Sequence, residues 1–340
     1  MARVKRYAYT HLLSAVRERL QAAGVPQTQA EVEAELMVEA DLLEVPSHGV
    51  RMLPGLLAAL ESGRLAPQAN FTSERNFGAI SVINCGAGPG RFASLHAMHM
   101  AMESARSFGV GVCLAKNTSH WGRAHAYASR AAQAGFIGIC TTNAMPTMAI
   151  GGAKKPVIGN NPLAIGIPRQ ERACPIVLDI AMSQAAVGKV NTWLREGKTP
   201  PNNWGINAAG EPTNDAAEIL KGAVLPFGGH KGAGLAVMLE LITAALAGAA
   251  FTQEIAAADN TGLDTGASKL FIALHPSAFI DDEQFDRRVN DFLQYLDINA
   301  APFLYPGARG WQAQAINRVQ GVPIHQEIVQ QLARAGLILE

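Results

Sequence analysis

His120 stands in a polar turn, Ser119 to Gly122, just past an apolar run from Val110 to Ala115. An imidazole so placed, with an unperturbed pKa near ~6.5, can take or give a proton near neutrality, or it can simply hydrogen-bond the loop backbone. Asn143 follows a second apolar run, Phe136 to Cys140, and opens a loop rich in Gly, Pro and Asn that reaches Asn160, Asn161 and Pro162. Loops at strand ends are where α/β folds place their chemistry, so His120, Asn143 and Asn160–Asn161–Pro162 are read as parts of one site.

Ser47 and His48 form a second candidate centre, in a turn closed by Gly49. His48 is either a general acid or base or a cap for the helix that follows. Ser47 enters the catalytic set as its neighbour rather than as a nucleophile, because a GxSxG elbow is lacking. Arg51, about one helical turn on, can grip a carboxylate bidentately or be a solvated structural cation. Lys189, on an expected helix, is either a site cation or a surface lysine lying along apolar neighbours. Gly228 to Gly232 resembles an anion cradle with Lys231 adding charge, and reads equally as a close helix start.

Other chemistries are disfavoured. His125 lies five residues from His120, about 140° away around a helix, and no HExxH or Cys cluster is present, so no metal site is expected. The strand Ala79 to Cys85 followed by Gly86, Gly88 and Gly90 invites a dinucleotide-binding reading, but the third glycine of GxGxxG would fall at Arg91. No acidic residue stands ~20 positions on, where a ribose partner belongs, so the Rossmann reading is rejected.

The elements that must position these residues follow from pattern. Helices are expected from about Thr10, capped by that residue, to Ala23, and from Gln29 to Glu44, with Thr28 and Glu31 at capping-box spacing. A third runs from Val50 to Ser62. Arg91 to Ser107 and Ser183 to Glu196 also read as helices. So do a long apolar stretch from the glycine-rich turn to about Ala250, and Asp282 to Tyr295. Further helices begin at about Trp311 and Ile324. Strands are expected at Ile176 to Asp179 and Lys269 to Leu274.

The chain of 340 residues is 49% hydrophobic and 16% charged, with Lys plus Arg and Asp plus Glu each 28, so it can bury a large core and carries no net charge. Without a basic patch, nucleic acid is not an expected partner. The N-terminal MARVKRYAYTHLL is basic with no long apolar segment after it, and Leu235 to Ala250 is shorter than the ~20 residues of a membrane span. Four scattered cysteines, Cys85, Cys113, Cys140 and Cys174, read as free thiols of a cytoplasmic protein.

These motifs together resemble the type 2 malate/L-lactate dehydrogenase family. The pieces occur in family order: SHGV from Ser47, GAGPG from Gly86, NTSHWGRAHAYA from Asn117, AGFIGICTTN from Ala134, GNNPLAIGIPR from Gly159, LDIAMSQAAVGK from Leu178, LPFGGHKGAGLA from Leu225 and YPG from Tyr305. The resemblance covers nearly the whole chain. It implies an α/β fold built on a non-Rossmann mixed, largely antiparallel sheet flanked by helices, with helical N- and C-terminal regions. The corresponding divisions are 1–72, 73–284 and 285–340, forming one catalytic unit. It further implies a homodimer or larger homo-oligomer using NAD or NADP.

By the same resemblance, the histidine matching His48 or His120 is the proton donor or acceptor. Asn143, Leu178, Asp179, Ile180, Lys231, Gly232 and Gly307 match cofactor-contacting positions, and Asn160 matches a substrate-contacting one. Two departures stand out. Members often carry the carboxylate-binding arginine one residue later, where this chain has Met52, so Arg51 points about 100° away from it. Members that reduce cyclic imines can carry an acid where this chain has Lys189. The expectation is hydride transfer between nicotinamide and C2 of a small 2-hydroxy or 2-oxo carboxylic acid. A cyclic ketimine reductase for piperideine- or pyrroline-2-carboxylate is the alternative. A non-catalytic ligand-binding protein is the alternative of another class.

Overall fold

The computed structural model describes residues 4–169, 174–258 and 263–339. The first residues of the basic N-terminal stretch lie outside that set. A seven-stranded sheet runs through the molecule in the order Thr72–Phe77, Ile80–Asn84, Val110–Thr118, Ala267–Leu274, Ile137–Thr142, Leu163–Ile167, Ile176–Ile180. Only Ile80–Asn84 and Val110–Thr118 pair in parallel; every other neighbouring pair in this sheet is antiparallel. The sheet is therefore mixed, largely antiparallel and non-Rossmann. Its middle strand, Ala267–Leu274, comes late in the chain and lies between two early ones, with a register shift between Ala267 and Lys269.

Helices Gly90–Phe108 and His125–Gln133 pack on the sheet, and Phe271, Tyr127, Met98 and Trp121 lie in the core between them. Each large apolar side chain so buried contributes about 1.5–3 kcal/mol. A second core joins the two ends of the chain. Leu12, Val16, Met37 and Leu53 meet Val322, Ile328 and Leu332 there. The strand Val4–Tyr7 pairs with Val322–His325 at its edge.

That two-stranded pairing corrects the wholly helical reading of the ends, because the helix expected from Ile324 begins only at Gln326. The expected boundary between 284 and 285 falls inside the helix Asp282–Asn299. Neither threonine cap forms. Ala8 precedes the first helix, and Pro26 starts the second, its carbonyl accepting from the Gln29 and Ala30 amides. The helix expected from Ser183 starts at Val187, since Ser183 is held in an antiparallel bridge to Pro226. The helix opening at His230 is regular to Glu240 and widens into a π-turn, Leu241–Ala245.

The glycine-rich turn before Gly90–Phe108 shows why it is not a phosphate loop. A Cβ on Gly88 would sit 2.2 Å from Ala69 Cα, and one on Gly90 would sit 2.2 Å from the Ser119 carbonyl oxygen. These glycines allow backbone to touch backbone. The helix N-terminus behind them is already filled, because Glu33 Oε1 accepts from the amides of Arg91 at 2.7 Å and Phe92 at 2.9 Å. An internal carboxylate thus takes the place an external phosphate would occupy.

Candidate active site

The strand Val110–Thr118 delivers His120 two residues past its end. Five hydrogen bonds fix that turn. The His120 amide donates to the Leu263 carbonyl at 2.6 Å, and Ser119 Oγ donates to the Gly88 carbonyl at 3.1 Å. Lys269 Nζ donates to the Ser119 carbonyl at 2.8 Å and also to Thr118 Oγ1. The Gly122 amide donates to His120 Nδ1 at 3.0 Å. That last bond decides the tautomer: Nδ1 is an acceptor, so the neutral ring carries its proton on Nε2.

His48 comes from a different part of the chain, the short 3-10 turn Pro46–His48 between two N-terminal helices. The buried carboxyl group of Asp41 accepts from the Val50 amide at 2.7 Å. A Cβ on Gly49 would lie 2.2 Å from that group, so only glycine lets the turn close over it. Ser47 Oγ lies 2.8 Å from His48 Nδ1. The His48 and His120 rings stack with centroids 5.7 Å apart and planes 29° apart.

Arg91, the residue that broke the glycine fingerprint, underlies both turns. Its guanidinium pairs with Glu33 at 3.1 Å, both side chains almost fully buried, reaches the His48 carbonyl at 3.5 Å, and packs against Gly122. Sequence reasoning had given Arg91 and Glu33 no role. Their signal, a glutamate and an arginine in separate helices, is visible only once the helices pack.

Electrostatics keep both imidazoles neutral. Burial, reinforced by Arg123, Arg91 and Arg51, pushes His48 down to about 3. Burial also holds His120 well below the usual range, with His48, Arg91, Lys269 and Arg51 adding to the effect. Burial pushes Lys269 down to about 8.

The two rings face a cavity of about 410 Å³ that is also lined by Ser47, Asn160, Pro162, Asp179, Lys189 and Asp264. A second cavity, of about 490 Å³, adjoins it across Glu44, Val45, Arg123 and Asp179, and is lined by Leu178, Gly307 and His125. Arg123 and Asp179 are ion-paired at 3.1 Å on the wall the two share.

Of the residues singled out in the sequence, Ser47, His48, His120, Asn160, Lys189 and Asp179 thus meet in the first cavity. Leu178 and Gly307, with Asp179 again, line the second. Arg51 is half-buried just behind Ser47, its Nη1 beside the start of the helix that carries Lys189. Neither Arg51 nor Lys189 has an ion-pair partner among the described residues. Lys189 Nζ lies over the indoles of Trp193 and Trp204 at 5.7 and 4.9 Å.

Others stand apart. Asn143 does not face either cavity. Its amide donates to Glu240 at 3.2 Å and the Ala250 carbonyl at 2.9 Å, and its Oδ1 accepts from the Ser268 amide at 2.8 Å. Asn161 is likewise turned back, donating to Glu240 Oε2 at 2.9 Å. Glu240 therefore ties the two asparagine loops to one helix from behind, and the Asn143 side chain is not brought together with His120. Ile180 lines neither cavity. The Gly228–Gly232 turn opens onto a separate surface cavity, with Lys231 exposed and Gly232 packed against the Met182 carbonyl, where a Cβ would approach to 2.5 Å. Here the close helix start is the arrangement seen.

The second cavity suits a polar group. His125 is buried in its wall, with Nδ1 lacking any hydrogen-bond partner among the described residues. The helix Ala308–Gln320 begins there behind Gly307, with no side chain capping it. An orphan buried nitrogen and an uncapped helix start are the features an anionic, hydrogen-bonding cofactor would satisfy.

Comparison with known proteins agrees with this architecture. A sequence model of the family described as malate/L-lactate dehydrogenase matches residues 7–333. The L-sulfolactate dehydrogenase of Methanothermobacter thermautotrophicus is 31% identical over 317 residues, 93% of this chain and 92% of that protein. A reductase of Delta(1)-pyrroline-2-carboxylate and Delta(1)-piperideine-2-carboxylate from Pseudomonas putida is 30% identical over 331 residues, 97% of this chain and 96% of its own. Among solved structures, malate dehydrogenase from Entamoeba histolytica superposes with a TM-score of 0.92 at 26% identity, covering 99% of each chain.

Proposed function

The chain belongs to the malate/L-lactate dehydrogenase family, and from that premise we propose that it interconverts a small 2-hydroxy acid and its 2-oxo acid using NAD or NADP. The observation that carries this reading is the stacked His48–His120 pair, neutral and of unequal hydrogen bonding, at the wall of the first cavity. A nicotinamide held there would supply the hydride to C2 in reduction and accept it in oxidation. Leu178, Asp179 and Gly307 would hold that cofactor in the second cavity, and His125 Nδ1 would gain a partner there.

The two rings divide the proton work. His120 presents Nε2–H as a donor, and its other nitrogen is committed to the Gly122 amide. A second proton on His120 would have to enter at Nδ1 and break that bond. His48 has no such conflict: Nδ1–H can donate to Ser47 Oγ whether or not Nε2 is protonated. His48 is therefore the proton carrier and His120 the group that polarises the substrate oxygen. During oxidation the C2 hydroxyl gives its proton to His48 Nε2 while His120 Nε2–H stabilises the developing charge on oxygen. During reduction the same proton returns. Arg51 and Lys189 hold the carboxylate, and their lack of internal partners leaves that capacity free.

A cyclic imine is the second reading, favoured by the similarity to the pyrroline- and piperideine-2-carboxylate reductase. The cation Lys189 on the cavity wall argues for the oxo acid, because an acid there would better hold a protonated imine. Purified protein assayed with pyruvate, oxaloacetate and a cyclic imine, following loss of reduced nicotinamide, separates the two. Turnover of none of them would refute both and leave the ligand-binding protein. The free buried thiols accord with a cytoplasmic location. The apolar side chains exposed along one helix, Leu235, Met238, Leu241, Ile242 and Leu246, accord with self-association into a homodimer or larger.

A further inference from the structure

Lys269 is the one buried ammonium that touches the His120 turn and plays no part in the mechanism above. It is 1% exposed and lines neither cavity. It projects from the middle strand of the sheet at the register shift after Ala267 and sits over the Trp121 ring at 5.9 Å. Its Nζ donates to the carbonyl of Ser119, the residue before His120, and to Thr118 Oγ1, the last side chain of the incoming strand. No carboxylate among the described residues is close enough to form an ion pair with it; Asp264 and Glu33 act on it only at longer range. A charge that is neither solvated nor paired projects its field onto its neighbours.

That field is unequal at the two histidines. Among the charged groups, His120 feels its stacked partner His48, Arg91 from the helix Gly90–Phe108, Lys269 from the sheet and Arg51 from the turn after Gly49. His48 feels Arg123, Arg91 and Arg51. Arg91 and Arg51 act on both rings, so they do not choose between them, and Arg123 on the His48 side is offset by its ion pair with Asp179 at 3.1 Å. Lys269 bonds to the turn that carries His120 and has no carboxylate partner among the described residues to offset it.

We propose that Lys269 is a positioning residue that selects which ring of the stacked pair carries the proton. By tethering Ser119 and placing a fixed positive charge on the turn that carries His120, it keeps His120 as a neutral Nε2–H donor and leaves protonation to His48. This rests on the division of roles argued for the two rings, and it extends that division to a residue behind the site.

The test uses the full-length protein without cofactor or substrate, so it does not depend on turnover. Ring nitrogen chemical shifts of His48 and His120, assigned with His48→Gln and His120→Gln, are followed on acidification in wild type, Lys269→Gln, Lys269→Met and Lys269→Arg. Gln can keep the hydrogen bond to Ser119 and lacks the charge; Arg keeps the charge; Met removes both and serves if the glutamine variant is poorly folded. The expected result is that His120 takes a proton about one pH unit higher in Lys269→Gln and Lys269→Met than in wild type, with His48 shifted less and Lys269→Arg unchanged. His120 remaining unprotonated to the same pH in all four proteins, or both rings shifting equally, overturns the proposal. In kinetics, kcat of Lys269→Gln should fall about 10-fold with KM within about 2-fold. A change in melting temperature alone, with shifts and kcat intact, would make Lys269 merely structural. If wild type turns over no oxo acid or imine, the reading of function fails, while the shift of the His120 titration stands or falls by itself.

Discussion

His48 and His120, 72 residues apart in sequence by subtraction of their numbers, lie with ring centroids 5.7 Å apart and planes inclined by 29°. At that separation a proton on one ring raises the cost of a proton on the other, so the neutral pair can take up one added proton but resists a second. The two should fail differently when replaced. His48→Gln is expected to lower kcat by about 10²–10⁴, the usual worth of a general acid–base. His120→Phe keeps the stack and removes the Nε2–H donor, and is expected to cost about 10²–10³. The double variant should be about as slow as the worse single one, because the groups act together. Steady-state kinetics in both directions check this, and full activity in either single variant would remove that ring from the mechanism.

Asp41 beneath the His48 turn should make stability depend on pH. Burial pushes its carboxyl up to about 8 from an ordinary 3.8. The folded state therefore keeps a proton that the unfolded chain has lost, and the contribution is fully present below about pH 4 and lost as pH rises toward about 8. Asp41→Asn cannot ionise, and its Oδ1 can still accept from the Val50 amide. Melting curves at about pH 5 and about pH 8 should show wild type losing more than the variant over that interval. Parallel losses would mean that Asp41 is charged throughout. Gly49→Ala, which forces a methyl into the same carboxylate, should destabilise the protein and disorder the turn that carries His48.

The buried Glu33–Arg91 pair should be intolerant of half-removal. Glu33→Ala leaves the Arg91 guanidinium without its counter-charge and frees two amides at the helix start, at a cost of about 3–5 kcal/mol. Since Arg91 also braces the His48 carbonyl and Gly122, activity should fall further than the fraction unfolded explains. Chemical denaturation alongside kcat on the folded fraction measures both effects.

Arg51 and Lys189 should govern affinity more than rate. Replacing either by alanine is expected to raise KM for a 2-oxo acid by about 10- to 100-fold, matching the roughly 1.5–3 kcal/mol of a hydrogen bond to a charged group. The loss in kcat should be smaller. If KM stays put in both variants, the carboxylate is held elsewhere.

The exposed apolar face on the helix that ends in the π-turn gives a prediction about assembly. Met238 is 57% exposed and Leu246 66% exposed, beside Leu241 at 45%. Patches of this kind are commonly covered by a partner. Met238→Lys combined with Leu241→Glu should shift the sedimentation coefficient of the native protein to that of a monomer. An unchanged coefficient would mean that this face takes no part in self-association.

Local pattern in the sequence was enough to single out the turns that line the first cavity. The apolar run at Val110 led to a strand of the sheet, and His120 lies two residues past its end. Arg91 in the third glycine position excluded the Rossmann turn, and the order of short motifs pointed to the family. Those are features of neighbouring residues, whose spacing is read directly from the chain. What tertiary structure decided was every contact between distant segments. Glu33 meets Arg91 across 58 positions, Lys269 meets Ser119 across 150, and Glu240 turns Asn143 away from the cavity across 97. The capping threonines lost to Ala8 and Pro26, and Ile324 became a strand because Lys5 lay opposite it. Periodicity reports which face of an element is buried; it does not report what that face is buried against. The tautomer of His120, its stacking on His48 and the ammonium bonded to its turn depend on that second fact, and only the packed chain supplies it.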